Sequence, residues 1–240
     1  MTATSKKAEV RIPNFPPKPP RFQDWALRLQ SDSHTEKLQD QLHYWLTLPW
    51  AQVQTLPLDQ EGASTALPTY ADSATISVRL EATATQQLLQ IVPRRYNTQI
   101  NDALLTALAL VIGKWSGSST VLVELEGHGR EDLFAEVDLS RTVGWFTSWY
   151  PVLLSLPAEP SIETVLPAVK DYLRRIPQAG IGFGLLQHLT ENKEIRSLPT
   201  PQLGLTIWDN WIRVWISPMP GLWPQNPVEL STVRRAHFPI

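Results

Sequence analysis

Residues Val121 to Glu126 alternate strictly, with Val121, Val123 and Leu125 on one face and Leu122, Glu124 and Glu126 on the other. A period of two with apolar residues on one side specifies a half-buried β-strand. The alternation stops at Gly127 and Gly129, and Glu126, His128, Arg130 and Glu131 crowd the break. Ionisable groups at the mouth of a buried strand are where sites are built, so the stretch from Val121 to Pro151 is the one to explain.

The surrounding chain reads as a mixture of helices and strands. Phe22, Trp25, Ala26 and Leu29 recur at helical spacing, and Leu38, Leu42, Trp45 and Leu46 repeat that pattern after Thr35. Ala74 to Leu80 alternates as a half-buried strand would. Thr83 with Gln86 fits a capping box opening a helix through Val92, which Pro93 is expected to end. Asn97 is the expected cap of a stronger helix facing the core with Ile100, Leu104, Ala107, Leu108, Val111, Ile112 and Trp115, closed by Ser116 and Gly117. Beyond Pro151, Val152 to Leu156 finishes a strand begun near Thr142. Ser161 starts a helix with Ile162, Val165, Leu166, Val169, Tyr172 and Leu173 on one side, and Pro167 is expected to bend its first turns. Gly180, Gly182 and Gly184 read as a permissive loop before a short helix from Leu185 to Leu189. The order of elements is α/β, and no internal repeat is present.

Composition removes several function classes. At 240 residues and 42% hydrophobic content the chain can fill a core. A net charge of −2 with both signs interspersed offers no polyanion-binding stripe, so a nucleic-acid partner is not expected. There is no cysteine, which excludes disulfides and thiolate metal sites. The five histidines, at positions 34, 43, 128, 188 and 237, do not fall at ligand spacing, so no metal is expected. The longest apolar run, Ala103 to Ile112, is too short to span a bilayer, and Lys6, Lys7, Glu9 and Arg11 leave no signal-peptide core. A cytoplasmic location without a membrane partner is the default expectation.

The run Glu126 to Glu131, EGHGRE, followed by RTVGWFTSWYPV from Arg141 to Val152, resembles the epimerization domains of non-ribosomal peptide synthetases, a branch of the condensation-domain superfamily. PQAGIGFG, from Pro177 to Gly184, stands where that family has Pro-x-x-Gly-x-Gly-Tyr-Gly, with Phe183 for Tyr, and FQDWALRLQ, from Phe22 to Gln30, is similar to the segment closing the family's first lobe. Several signatures in the right order are more specific than any one of them. The resemblance implies an incomplete α/β fold, the second chloramphenicol-acetyltransferase-like lobe of a two-lobed domain. The family's His-His-x-x-x-Asp signature belongs before Phe22 and is not in this sequence.

The two ends depart from the family. It closes this region with Phe-Asn-Tyr-Leu-Gly-Gln-Leu-Asp, where this chain has LTIWDNWI from Leu205 to Ile212. One nucleotide string encodes both peptides in frames displaced by one base, and codons for Pro13 to Arg21 can be chosen so that a shifted frame matches the family's lead into Phe22. Residues 22–204 are therefore expected to form the partial domain, with 1–21 an out-of-frame or unstructured leader and 205–240 an out-of-frame, irregular tail. On that expectation the Trp-rich, Pro-rich stretch from Ile207 to Trp223 is an aggregation liability and not a binding cage.

The resemblance also implies a chemistry: inversion at Cα of an aminoacyl or peptidyl thioester, by removal of a proton beside a carbonyl and its return to the opposite face. In the family, the second His of the absent motif and the first Glu of the run flank that carbon, and the Glu falls on Glu126. No cofactor is bound directly; the substrate arrives on the phosphopantetheine arm of a peptidyl carrier protein, and the other partners are neighbouring synthetase domains. His128, Arg130, Trp145 and Tyr150 are the further candidates for substrate contact, and a Gly-flanked backbone lets a thioester approach closely. Plainer roles stay open for each. From the residue pattern by itself Glu126 reads as a strand-end charge paired with Arg130 or Arg141. His128 reads as a loop-shaping hydrogen bonder, Arg130 as part of a structural ion-pair network with Glu131, Asp138 and Arg141, and Trp145, Trp149 and Tyr150 as core. Ser140 and Ser148 lack the Gly-x-Ser-x-Gly elbow of serine hydrolases. Without the His motif the chain by itself is expected to be inactive. A peptide-bond-forming condensation domain and a non-catalytic module that docks a carrier protein are the alternatives.

Overall fold

The computed structural model describes residues 18–57, 74, 76–208 and 211–216. The alternating segment forms β1 (Thr120–Gly127), which pairs antiparallel with β2 (Ser148–Ser155) along its whole length. β1 also pairs in parallel with β3 (Leu203–Trp208), and β3 pairs antiparallel with β4 (Trp211–Ile216), giving the order β2-β1-β3-β4. The register sets Val121, Val123 and Leu125 opposite Leu154, Val152 and Tyr150. Directly opposed residues share a face, so these side chains make one apolar surface. Leu122 and Leu153, also opposed, pack on the other face under Trp50. The strand is thus covered on both sides at its start and opens only toward Glu124 and Glu126.

Two helix pairs build the rest of the core. α1 (Phe22–Asp32) and α2 (Glu36–Leu46) follow the helical spacings, with Trp25, Leu38 and Trp45 buried. A 3-10 turn at Trp50–Gln52 follows, and the indole of Trp50 donates to the Trp45 carbonyl at 2.7 Å. α5 (Ile100–Ser116) packs on α6 (Ile162–Arg175), where buried Asp102 takes two hydrogen bonds from Arg174, of 3.2 and 3.0 Å. α7 (Ile181–Leu189) lies against α2, and α8 (Lys193–Arg196) closes the segment before β3. Leu105, Ala109, Val165 and Val169 from one pair, and Leu38, Trp45, Phe183 and Leu186 from the other, meet the sheet in one cluster. Each such fully buried aliphatic or aromatic side chain contributes roughly 1.5–3 kcal/mol.

Several expectations are corrected. Pro93 does not end its helix: α3 (Ala82–Gln86) passes through a π-helical turn at Gln87–Ile91 into α4 (Val92–Tyr96), with Pro93 near the start of α4. A widened turn absorbs a residue that has no N–H to give, which is how a proline is tolerated inside a helical run. Asn97 caps the end of α4 in the left-handed region (φ 51°), and the start of α5 is capped by Gln99 and Asp102, with the Gln99 N–H donating to Asp102 at 2.7 Å. The buried face of α5 is Asp102, Leu105, Thr106, Ala109, Ile112 and Gly113, while Val111 and Trp115 are exposed. That helix is apolar nearly all round, so periodicity alone selects no face.

Residues 76–80 join no ladder, and Ile76, Val78 and Leu80 are exposed; an alternating segment becomes a strand only where a neighbour offers backbone partners. β2 begins at Ser148 and not near Thr142. Of the three glycines in the expected loop only Gly180 has a positive φ (83°), while Gly182 and Gly184 sit within α7. Residues 203–208 and 211–216 pair as strands β3 and β4 where an irregular tail was expected from Leu205, because Leu203, Leu205 and Ile207 alternate beside the open edge of β1. The rest of that tail, and the leader up to residue 17, lie outside the described residues.

Candidate functional site

The end of β1 opens into a cleft of about 270 Å³ lined by Glu126, Gly127, His128, Arg130, Gly144, Trp145, Phe146, Thr147 and Ile207. Four of the five residues singled out from sequence therefore meet: Glu126, His128, Arg130 and Trp145. Tyr150 does not join them. It is buried in the main cluster with its ring against Gly180, and burial holds its phenol well above the usual range. The plain core role fits Tyr150, whereas Trp145 is 72% exposed and forms an outer wall.

Glu126 is half-buried at the cleft, opposite Trp149 in the sheet register. Its suggested partner Arg130 is occupied elsewhere: the guanidinium donates to the Leu139 carbonyl at 2.5 Å and stacks over the Phe146 ring at 4.0 Å. Arg130 is thus a brace that pins the loop 130–146 beneath the strand end. His128 accepts from the Arg130 N–H through Nδ1 at 3.0 Å, and its Nε2 stands 3.5 Å from Glu131. Burial raises the Glu131 carboxyl, and the nearby His128 works against that shift. Asp138 accepts from the Ser140 N–H at 2.9 Å, which lowers its pKa. The ions around the break hold the loop, and Glu126 is the carboxylate left facing the cleft.

The glycines have a role that the alternation and its break do not reveal. A Cβ on Gly129 (φ 66°) would stand 1.5 Å from the Phe146 carbonyl oxygen, and one on Gly127 would stand 2.8 Å from the Ser148 hydroxyl. The chain crosses itself here at backbone contact distance, and side chains would push Phe146 and Ser148 away from the strand end. Two residues before Glu126, on the same face of β1, Glu124 lines a second cleft of about 440 Å³ between the sheet and α7. It shares the walls Phe146 and Thr147 with the first. Burial alone raises the Glu124 carboxyl to about 7. Sequence reasoning passed over Glu124 as the polar half of an alternating strand, although the available signal was two acidic residues on one face beside apolar neighbours. Among the described residues there is no His, Asp and Glu cluster able to hold a metal ion, and no helix long and apolar enough to cross a membrane.

Known proteins share the sequence and the fold of this chain. The sequence model of the condensation domain matches residues 4–202. A linear gramicidin synthase of Brevibacillus parabrevis is 46% identical over 182 residues, 75% of this chain and 3% of that protein. Surfactin synthase subunit 2 of Bacillus subtilis is 40% identical over 189 residues, 79% of this chain and 5% of that protein. Among solved structures, the epimerization domain from the third module of tyrocidine synthetase B superimposes with a TM-score of 0.71 at 35% identity, covering 79% of this chain and 44% of that one. The X-domain from teicoplanin biosynthesis shares the fold, with a TM-score of 0.59 at 20% identity, covering 88% of this chain and 48% of that one. The chain spans a few per cent of the length of these synthases and under half of the solved epimerization domain.

Proposed function

The chain belongs to the condensation-domain family of non-ribosomal peptide synthetases, and from that premise we propose that it supplies the Glu126 wall of an epimerization site, inverting Cα of a carrier-bound thioester. In the step, a proton leaves Cα, the electron pair moves onto the thioester carbonyl oxygen as an enolate, and a proton returns to the opposite face; nothing is oxidised and no group is lost. One carboxylate serves one face. A second acid or base must stand across the carbon, and these 240 residues hold no His-His-x-x-x-Asp to provide it. That partner group comes from another segment of the synthetase, and the substrate arrives on the phosphopantetheine arm of a peptidyl carrier protein. His128, Arg130 and Trp145 shape the cleft around the thioester, and Tyr150 supports it from the core.

The observation that carries the reading is that Glu126 faces an open cleft while its neighbouring cation is held by Leu139 and Phe146. The test is wash-in of solvent deuterium at Cα of an aminoacyl carrier protein. The chain alone is expected to give no exchange, and addition of a polypeptide bearing the His-His-x-x-x-Asp half is expected to restore it in wild type and not in Glu126→Gln. Exchange by the chain alone, or undiminished exchange in Glu126→Gln, overturns the assignment.

A further inference from the structure

The second cleft holds a carboxyl that the inversion step does not use. Its wall on one side is the α7 face Ile181, Gly184, Leu185 and His188, and on the other the sheet face of Glu124 and Trp149, with Trp25 closing one end. No Lys or Arg is among the lining residues. Among the described residues none pairs with Glu124, and desolvation is the only influence on its carboxyl. A carboxylate taken out of water without a cation is costly, so it is either neutralised by a proton or matched by a cationic ligand.

We propose that this cleft is an amine subsite, in which Glu124 holds the protonated α-amino group of the carrier-bound residue while Glu126 works at its Cα. The inference rests on the epimerization reading above and narrows the substrate class to an aminoacyl thioester with a free amine, as opposed to an N-acylated peptidyl chain. Three features support it. Residues two apart on a strand face are about 6.6 Å from each other, and the amine is bonded directly to Cα, so one ligand can meet both carboxyls. The clefts run together at Phe146 and Thr147. Trp25, Phe146, Trp149, Ile181 and Leu185 give the cleft an apolar part that suits a cation over indole faces and an apolar side chain, beside a polar part that includes Gln187 and His188. With its carboxyl raised to about 7, Glu124 stands near the midpoint between acid and carboxylate at neutrality, and an α-ammonium entering the cleft favours the carboxylate.

The test needs no partner half. The full chain is titrated at pH 7.5 with phenylalanyl-pantetheine in which an amide replaces the thioester, and with its N-acetyl counterpart. The free amine is expected to bind at least about tenfold more tightly, as a charge-assisted contact in a partly desolvated site requires. Glu124→Gln is expected to remove that preference. Equal affinity, no binding of either probe, or a preference that survives in Glu124→Gln overturns the proposal. The two readings fail separately. An amine preference with no Glu126-dependent exchange leaves the subsite and removes the inversion, and exchange with no preference does the reverse.

Discussion

Gly129 and Phe146 touch through their backbones, at a distance where a Cβ on residue 129 would lie 1.5 Å from the Phe146 carbonyl oxygen. The contact brings the two ends of the loop between β1 and β2 together, and it places Phe146 at the wall shared by both clefts. Gly129→Ala meets a backbone atom that cannot rotate away and a positive φ that disfavours any side chain. It is expected to destabilise the fold by roughly 2–4 kcal/mol, read in urea denaturation. Gly117→Ala, at a similar φ of 72° but in open space, is the control and is expected to lose only about 1 kcal/mol.

Glu124 gives stability a pH dependence of uncommon sign for a carboxylate. Its pKa is about 7 in the folded protein against about 4.5 when unfolded, so between those values the folded state binds more protons. Stability from this group is complete below the unfolded pKa and is lost as pH rises through about 7. Glu124→Gln is expected to flatten that slope and to be more stable than wild type at pH 8 by roughly 2–3 kcal/mol. Denaturation curves at pH 5, 6.5 and 8 check it, and a wild type that gains stability over that range refutes the account.

Two tryptophans separate packing from surface. Trp45 is fully buried with its ring 5.1 Å from that of Phe183, whereas Trp145 is largely exposed. Trp45→Ala is expected to lose about 3–5 kcal/mol, enough to unfold a marginal domain. Trp145→Ala is expected to stay within about 0.5 kcal/mol of wild type while weakening pantetheine binding. Thermal midpoints and the amide-probe titration measure the two effects.

Asp102 and Arg174 tie α5 to α6, and Asp102 also accepts the Gln99 N–H at the start of α5. Asp102→Ala removes a cap and a buried pair at once and is expected to lose about 2–3 kcal/mol. A double-mutant cycle with Arg174→Ala is expected to return a coupling of about 1–2 kcal/mol. A coupling near zero means that the two bonds from Arg174 add nothing beyond what water supplies.

β1 was legible because a period of two is a local property, and the glycine break after Glu126 marked the site for the same reason. α1, α2 and α6 were legible through their one-sided apolar spacing. Pro93 misled because a proline's effect depends on whether the preceding turn can widen, and here Gln87–Ile91 does. Residues 76–80 misled because alternation makes a strand only beside a partner, whereas residues 203–208 found one at the edge of β1.

The sequence alone determined β1, α1, α2 and α6 and the acidic residues at the end of β1, since near-neighbour sterics and hydrophobic period act within a few residues. Tertiary structure decided which cation each carboxylate meets. Arg130 folds back onto Leu139 and Phe146, which leaves Glu126 facing a cleft, and α7 arrives over Glu124 with His188 but no Lys or Arg in the cleft lining. Electrostatic surroundings are made by groups distant in sequence, and no local pattern encodes their distances or the water that burial removes.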